Sequence, residues 1–228
     1  MKALIVGYGK MGRMVEELAG DQGIEIVGRV DEGQADWAPA DVAIDFSTAD
    51  ALLGNFNQYV TRRLPVVIGT TGWNAQEARL RADAERAGIG VVASANFSIG
   101  VNIFELVVAE AARMMAAQPQ YGAWIHEQHH AAKRDAPSGT AILLRNAMTA
   151  AGYARNIDMS SARAGMIPGT HTIGFDSASD TIELTHRARD RRGFASGALL
   201  AARWIQGRTG WYSMQDVLAG SSKPAGSL

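Results

Sequence analysis

Residues 3–12 read Ala3-Leu4-Ile5-Val6-Gly7-Tyr8-Gly9-Lys10-Met11-Gly12. A short apolar run passing at once into G-x-G-x-x-G predicts a buried strand that ends in a glycine loop. Met11, Met14, Val15 and Leu18 then recur at i, i+3, i+4 and i+7, which is one face of a helix. Ile24 to Val30 forms a second apolar strand, and Asp31 closes it nineteen residues beyond Gly12. Strand, loop, helix, strand and acid in that order are the fingerprint of a dinucleotide-binding βαβ unit. Gly7 would permit the tight turn, Gly9 would let backbone approach a pyrophosphate, and Gly12 would let helix and strand pack closely. The helix start turns its unpaired amides toward the phosphates. Asp31 would accept hydrogen bonds from the adenine ribose hydroxyls, and Asp31 with Glu32 would repel a 2′-phosphate.

The alternation continues outward from this unit. Asp41 to Phe46 reads as a strand, and Ser47 and Thr48 can cap a helix carrying Leu52, Phe56 and Tyr59 or Val60. Pro65 to Ile68 is a strand ending in Gly69-Thr70-Thr71-Gly72. A helix with Ala78, Leu80, Ala84 and Ala87 follows and stops at Gly88. Ile89 to Ala93 is the next strand, ending in Ser94-Ala95-Asn96-Phe97-Ser98. Strands alternating with helices imply a parallel sheet covered on both faces, with ligands beyond the carboxyl ends of its strands. The expected fold class is α/β, a Rossmann-type parallel-sheet domain followed by a second α+β domain.

The pattern changes near Phe97. Val101 to Ala117 predicts a long helix with Ile103, Leu106, Val107, Glu110, Ala111 and Met114 on its main face, Met114 and Met115 serving core or interface. Tyr121 to His129 alternates, with Trp124, His126 and Gln128 on one face and Ile125, Glu127 and His129 on the other. That is a strand delivering His129 at its end; His126 reads as structural or exposed. Glu127 to Ala141 then reads E-Q-H-H-A-A-K-R-D-A-P-S-G-T-A. Ser138, Gly139 and Thr140 open a helix whose apolar positions are Leu143, Leu144, Ala147, Met148 and Ala151, with Gly152 behind it. Taken singly, a His-His pair is polar surface and Ser-Gly-Thr is a cap. Together they put cations, a proton donor and the unpaired amides of a helix start into one run, which suits a small substrate carrying carboxylates. Ser161 to Ile167, Thr170 to Phe175 and Thr181 to Arg189 read as strands of a second, mixed or antiparallel open sheet. His171 and His186 beside the His pair invite a metal reading. No cysteine or carboxylate stands at ligand spacing, so no metal is expected.

Composition narrows the function classes. The chain has 228 residues, 47% hydrophobic and 20% charged, which suits one large globular domain or two small ones. A net charge of −1 provides no global field to recruit nucleic acid or an acidic membrane. The absence of cysteine excludes disulfides, thiol catalysis and cysteine-based metal sites. The apolar run at the amino terminus is too short for a membrane span, so a cytoplasmic protein is the expectation. Ser221 to Leu228 is small and polar and reads as a disordered tail.

Glu127, His129, His130, Lys133 and Asp135 to Ala141 closely resemble the signature of the dihydrodipicolinate reductases (4-hydroxy-tetrahydrodipicolinate reductases). Gly69-Thr70-Thr71-Gly72 resembles that family's G-T-T-G, and Ala95 to Asn102 its A-N-F-S-x-G-V-N. Arg163-Ala164-Gly165, Gly169 to Thr172, and Arg191 with Phe194, Ala195, Gly197 and Ala198 match further segments. The likeness covers nearly all of the chain up to Leu218. It implies hydride transfer from NAD(P)H to a cyclic dicarboxylate in lysine and diaminopimelate biosynthesis, by a homotetramer joined through the second sheet. It implies a dinucleotide domain of residues 1–98 and 192–220, and a substrate and oligomerisation domain of 99–191. The cofactor would be held by Gly7, Tyr8, Gly9, Lys10, Met11, Gly12 and Asp31, with Gly69, Thr70, Thr71, Ser94, Ala95, Asn96 and Phe97 at its nicotinamide half. Many relatives carry an arginine after the acid where this chain has Glu32. NADH is therefore favoured, with NADPH open if Arg29, Arg62 or Arg63 folds back. His129 is the first candidate proton donor and Lys133 the alternative. His130, Lys133, Ser138, Gly139 and Thr140 are the candidates for holding substrate. A related aspartate-dehydrogenase-like enzyme and a non-enzymatic dinucleotide sensor are the rival readings.

Overall fold

The structure is a computed structural model that describes residues 1–221. The tail expected to be disordered lies outside the described residues except for Ser221. In chain order the elements begin β1 (Lys2–Val6), α1 (Lys10–Ala19), β2 (Glu25–Asp31), β3 (Gln34–Ala35), β4 (Val42–Asp45), α2 (Ala49–Arg62) and β5 (Val66–Ile68). They continue α3 (Glu77–Ala87), β6 (Gly90–Ala93), α4 (Ile99–Ala116), β7 (Gly122–His129), α5 (Gly139–Ala150) and β8 (Ile157–Arg163). Then come β9 (Thr170–Asp176), β10 (Thr181–Arg187), α6 (Arg192–Trp204), β11 (Gly210–Tyr212) and α7 (Met214–Ser221). The chain divides into two compact units, one of Met1–Ile99 with the segment from Arg192 onward, the other of Gly100–Arg191.

The first unit is a sheet of order β11-β6-β5-β4-β1-β2-β3. Six strands run parallel, and the two-residue β3 pairs antiparallel at the β2 edge. Successive side chains of a strand point to opposite faces, and β1 divides accordingly. Ala3 and Ile5 enter a core with Val15, Leu18, Leu199 and Ala202, from α1 and α6. Leu4 and Val6 enter another with Leu52, Phe56, Tyr59 and Leu80, from α2 and α3. A strand buried on both faces has no polar alternation, which is why β1, β4 and β5 read as continuous apolar runs. The order reverses beside β1, whose neighbours are β2 and β4, and crevices open beyond strand ends at such a switch point.

The second unit is a sheet of order β10-β9-β7-β8. Its strands are mixed: β9 and β10 join antiparallel, while β8 lies parallel to β7 in the register Ala123↔Ile157 to His129↔Arg163. A strand that returns through a helix, here α5, runs parallel to the one it left. One face is covered by α4 and α5, which bury Val108, Ala112, Ala141, Leu144 and Met148 against Ala123, Ile125, Ile173 and Phe175. On the other face Trp124 lies so close over Gly174 that a Cβ there would come within 2.1 Å of the indole.

Three expectations are corrected. The strand expected at Ser161–Ile167 runs from Ile157 to Arg163, and the chain turns at Gly165 with φ 50°. The strand expected to reach Arg189 ends at Arg187. In α4 the buried positions are Val101, Asn102, Val108 and Ala112, whereas Ile103, Leu106, Val107 and Met114 are 47–61% exposed. That helix carries apolar residues around its circumference, so periodicity could not select the inward face.

Candidate active site

The glycine loop after β1 separates into structural and open positions. Gly7 has φ +85°, and a Cβ there would lie 2.5 Å from the Ser47 amide nitrogen. A Cβ on Gly12 would lie 2.3 Å from the Gly7 carbonyl oxygen. Gly9 meets nothing within 4 Å and caps α1 without a side-chain hydrogen bond. The fold thus demands Gly7 and Gly12, while Gly9 leaves a clear approach to the helix amides, the feature a pyrophosphate requires. Tyr8 donates to Glu16, and Arg29 forks onto the same carboxylate. Arg29 and Arg13 both stand over the Tyr8 ring. Arg62 bonds Gln58 and the Trp37 carbonyl. Two of the three arginines that could have returned to a 2′-phosphate are therefore committed elsewhere. Asp31 and Glu32 are exposed at the end of β2, and Lys10 is exposed with Met11 half-buried at the start of α1.

The loops after β4 and β5 are tied together by a residue the motif reading passed over. Asp45, fully buried, accepts from the Ser47 amide at 2.8 Å, the Ser47 hydroxyl at 2.6 Å, the Thr70 hydroxyl at 2.9 Å and the Tyr59 phenol at 2.7 Å. Burial, reinforced by Asp45, pushes the Tyr59 phenol well above its ordinary pKa. The Thr70 hydroxyl is consumed in this network, whereas Thr71 is exposed. Gly69 is demanded by packing, since a Cβ would come 2.1 Å from the Phe46 ring. Ser94 bonds the Asn96 carbonyl at 2.8 Å, and the Asn96 side-chain oxygen accepts from the Ser98 amide at 2.9 Å. The Phe97 ring is 1% exposed and packs edge-on to Phe46. It belongs to the core, so only its backbone is left for a ligand. A cavity of about 400 Å³ opens beside these loops, lined by Thr70, Thr71, Ser94, Ala95, Trp73 and Trp211 among others.

The second unit gathers the other candidates. Strand alternation puts Glu127 and His129 on the inward face of β7, both buried. Glu127 Oε2 meets His129 Nδ1; Oε1 accepts from Arg163 Nη2 at 2.6 Å and from the Ser138 amide at 3.3 Å. Burial alone would raise the Glu127 carboxyl, but hydrogen bonds led by Arg163 hold it down at about 2. Burial lowers the His129 imidazole from its ordinary value, with Glu127 opposing. His171, opposite Glu127 across the β7–β9 pair, is lowered by burial to about 4. Its Nε2 stands 3.1 Å from the Ser138 hydroxyl, and its Nδ1 is buried without a hydrogen-bond partner among the described residues. The His129 and His171 rings meet edge to face at 5.1 Å.

Ser138 caps α5: its hydroxyl accepts from the Ala141 amide at 3.2 Å, and it is 1% exposed. A hydroxyl so engaged holds the helix start in place, and the ligand-facing role passes to the residues after it. Gly139 is exposed with nothing within 4 Å of a notional Cβ, and Thr140 is half-buried. Lys133 Nζ donates to Asp135 Oδ1 at 2.8 Å. Lys133, followed by lesser contributions that include the Gly139 amide, holds the Asp135 carboxyl below its ordinary value. His130 is half-buried, immediately after β7. His126, on the opposite face, bonds Ser160 and Gln128.

The premise that no carboxylate stands near the histidines is overturned. Donor atoms of Glu127, His129 and His171 lie within 4.8 Å of one another. Sheet register makes this group, and sequence spacing does not show it. Both Glu127 oxygens already face donors, one of them the Arg163 guanidinium, so the positive charge a metal would bring is supplied by the protein. Glu127, Arg163 and His171 were outside the candidate site. The period-two alternation of β7 pointed to the first; Arg163 and His171 stood in segments resembling the family's, but nothing local joined either to Glu127.

Comparison with known proteins agrees with this geometry. Residues 34–97 match the family model described as dihydrodipicolinate reductase, N-terminus, and residues 100–218 match dihydrodipicolinate reductase, C-terminus. A 4-hydroxy-tetrahydrodipicolinate reductase of Christiangramia forsetii is 36% identical, over 96% of this chain and 98% of its own. The protein of that name from Pseudoalteromonas atlantica is 39% identical, over 91% of this chain and 84% of its own. Among solved structures, a dipicolinate-bound dihydrodipicolinate reductase from Paenisporosarcina superposes with a TM-score of 0.77 at 21% identity, over 93% of this chain and 97% of its own. A probable dehydrogenase from Thermotoga maritima gives 0.61 at 9% identity, over 95% and 92%. These two likenesses speak for the fold; the family models and the relatives speak for descent. The chain belongs to the dihydrodipicolinate reductase family.

Proposed function

We infer that this protein is an NAD(P)H-dependent oxidoreductase that reduces 4-hydroxy-tetrahydrodipicolinate to tetrahydrodipicolinate in lysine and diaminopimelate biosynthesis. What supports the substrate assignment most is that Lys133 already holds one carboxylate, that of Asp135, and that Gly139 at the start of α5 is open to approach. An ammonium that holds an internal carboxylate, followed by the amides of a helix start, suits a carboxylate of a cyclic substrate. Lys133, His130 and the amides of Gly139 and Thr140 bind and orient the dicarboxylate, with Ser138 fixing the helix that presents them. His129 and Lys133 manage the proton that must accompany reduction.

In the first unit the residues fit a dinucleotide: Gly9 is open, the α1 amides lack a side-chain cap, and Asp31 ends β2. Gly7 and Gly12 shape the loop, and Tyr8, Lys10 and Met11 flank it. Gly69, Thr70, Thr71, Ser94, Ala95, Asn96 and Phe97 serve the nicotinamide half chiefly through backbone. The reduced dinucleotide, when bound, supplies the hydride. We take NADH to be preferred, because Asp31 and Glu32 oppose a 2′-phosphate and Arg29 is tied to Glu16. The exposed apolar row of α4 and Ile182 on β10 fit self-association as a homotetramer, to be checked by sedimentation. A reaction that draws on the reduced nicotinamide pool fits a cytoplasmic location.

The test is oxidation of each nucleotide, followed by absorbance, with freshly generated substrate. Turnover with NADH exceeding that with NADPH is expected, and Lys133→Ala should collapse turnover while NADH affinity survives. Unchanged turnover in that variant removes Lys133 from the chemistry; no turnover in the wild type removes the assignment.

A further inference from the structure

We propose that Glu127 is a positioning residue that fixes the tautomer of His129, keeping the proton on Nδ1 and leaving Nε2 as the open atom of the ring. The inference rests on the placement of His129 at the reacting centre made above. Glu127 is 0% exposed and two residues before His129 on the same face of β7. Its Oε1 accepts from Arg163 at 2.6 Å and from the Ser138 amide at 3.3 Å, and its Oε2 meets His129 Nδ1. A carboxylate with a guanidinium and an amide already donating to it is ionised, and an ionised carboxylate only accepts. His129 Nδ1 must therefore be the donor. The neutral ring then has a bare lone pair on Nε2.

The surroundings keep that atom uncovered. Gly169 has φ +149°, and a Cβ on it would stand 3.1 Å from His129 Nε2. A side chain at 169 would crowd the nitrogen. His171 closes one flank of the ring edge to face, with its own Nε2 turned to Ser138. Burial favours the neutral imidazole over the cation. At neutral pH His129 accordingly presents an acceptor. It passes on a proton only after Nε2 has taken one, and Glu127 then faces the imidazolium charge. This assigns the resting-state proton donor to Lys133: the proton that ends on the product leaves Nζ, and solvent restores it. Arg163 has a distinct part, holding Glu127 rather than touching the ring.

Nitrogen-15 spectra of histidine-labelled protein read the tautomer directly, with His129 assigned by comparison with His129→Gln. The wild type should show a protonated Nδ1 and a bare Nε2. In Glu127→Gln the single amide oxygen stays with the Arg163 guanidinium and the Ser138 amide, which turns the NH2 toward Nδ1; the proton should therefore move to Nε2, and the limb of the kcat–pH profile due to His129 should move to lower pH. In Glu127→Ala the tautomer should become mixed, and kcat should fall about a hundredfold with KM little changed. A wild-type ring protonated at Nε2 would overturn the proposal. So would an alanine variant with unchanged tautomer, or a glutamine variant that loses stability but keeps the wild-type profile. If the alanine variant does not fold, the wild-type spectrum and the glutamine profile decide alone. A tautomer that follows Glu127 while turnover ignores it would uphold the positioning and remove His129 from the reacting centre.

Discussion

Replacing Arg163 by methionine keeps an unbranched side chain of similar length and deletes the guanidinium. Three hydrogen bonds go with it: Glu127 Oε1 at 2.6 Å, the Asp135 carbonyl at 2.6 Å and the Ala162 carbonyl at 2.8 Å. The carboxylate left behind is buried. In the wild type Glu127 is held at about 2 rather than 4.5, against the upward pull of burial, and Arg163 is the largest of the groups holding it there. Because the folded value is depressed, this stability is present above the unfolded value and is lost as pH falls through 4 toward 2. The depression corresponds to about 3 kcal/mol at neutral pH. Removing one partner of a buried pair costs roughly 3–5 kcal/mol, so the two routes to the magnitude agree. The assay is hydrogen exchange at the β7 amides. A loss of about 3 kcal/mol means exchange faster by roughly a hundredfold at pH 7. The deficit should shrink on acidification to about pH 4, because burial without the guanidinium makes Glu127 protonate early and a neutral carboxyl is cheaper to bury. Protection within threefold of wild type at pH 7, or a deficit of equal size at both pH values, would refute the reasoning.

Gly9→Ala should leave the urea midpoint unchanged, since its Cβ meets nothing within 4 Å, yet weaken NADH binding by calorimetry. Gly12→Ala should instead lose about 1–3 kcal/mol of stability, because its Cβ would press on the Gly7 carbonyl. Glu32→Arg should shift the ratio of kcat/KM for NADPH over NADH upward by roughly thirtyfold, as repulsion worth about 1 kcal/mol becomes attraction of about the same size; steady-state kinetics with each nucleotide will read it. Tyr59→Phe removes the 2.7 Å bond to Asp45 and should cost about 1.5–3 kcal/mol in denaturant unfolding, the range for bonds to charged groups.

The first sheet was legible wherever one physical cause governed a segment. Strands of the parallel sheet are buried on both faces, and their apolar runs ended within a residue or two of the expected places. Gly88, in the left-handed conformation, closes α3 where its sequence said a helix should stop. Legibility failed where two causes compete. Along α4, Val101, Val108 and Ala112 differ little in character from Ile103, Leu106 and Val107, so the burying face is chosen by what lies across from the helix. In β8 the run Ile157 to Arg163 holds only exposed and half-buried positions, so the strand is set by its pairing with β7.

The candidate site divides along the same line. His129, His130, Lys133 and Ser138 to Thr140 stand within twelve residues, and local geometry is enough to present them together. What gives them chemical character comes from far along the chain. Arg163 reaches Glu127 over a separation of 36 residues, and His171 reaches Ser138 over 33. Both arrive through strand register, which is a property of the sheet. A one-residue slip of β8 or β9 would turn the incoming side chain to the other face. A slip of β8 would leave Glu127 buried without its cation, a penalty of several kcal/mol. The arrangement therefore works in both directions. Register assembles the Glu127, Arg163 and His171 group around His129, and the demand of Glu127 for a buried partner disfavours every register of β8 but one.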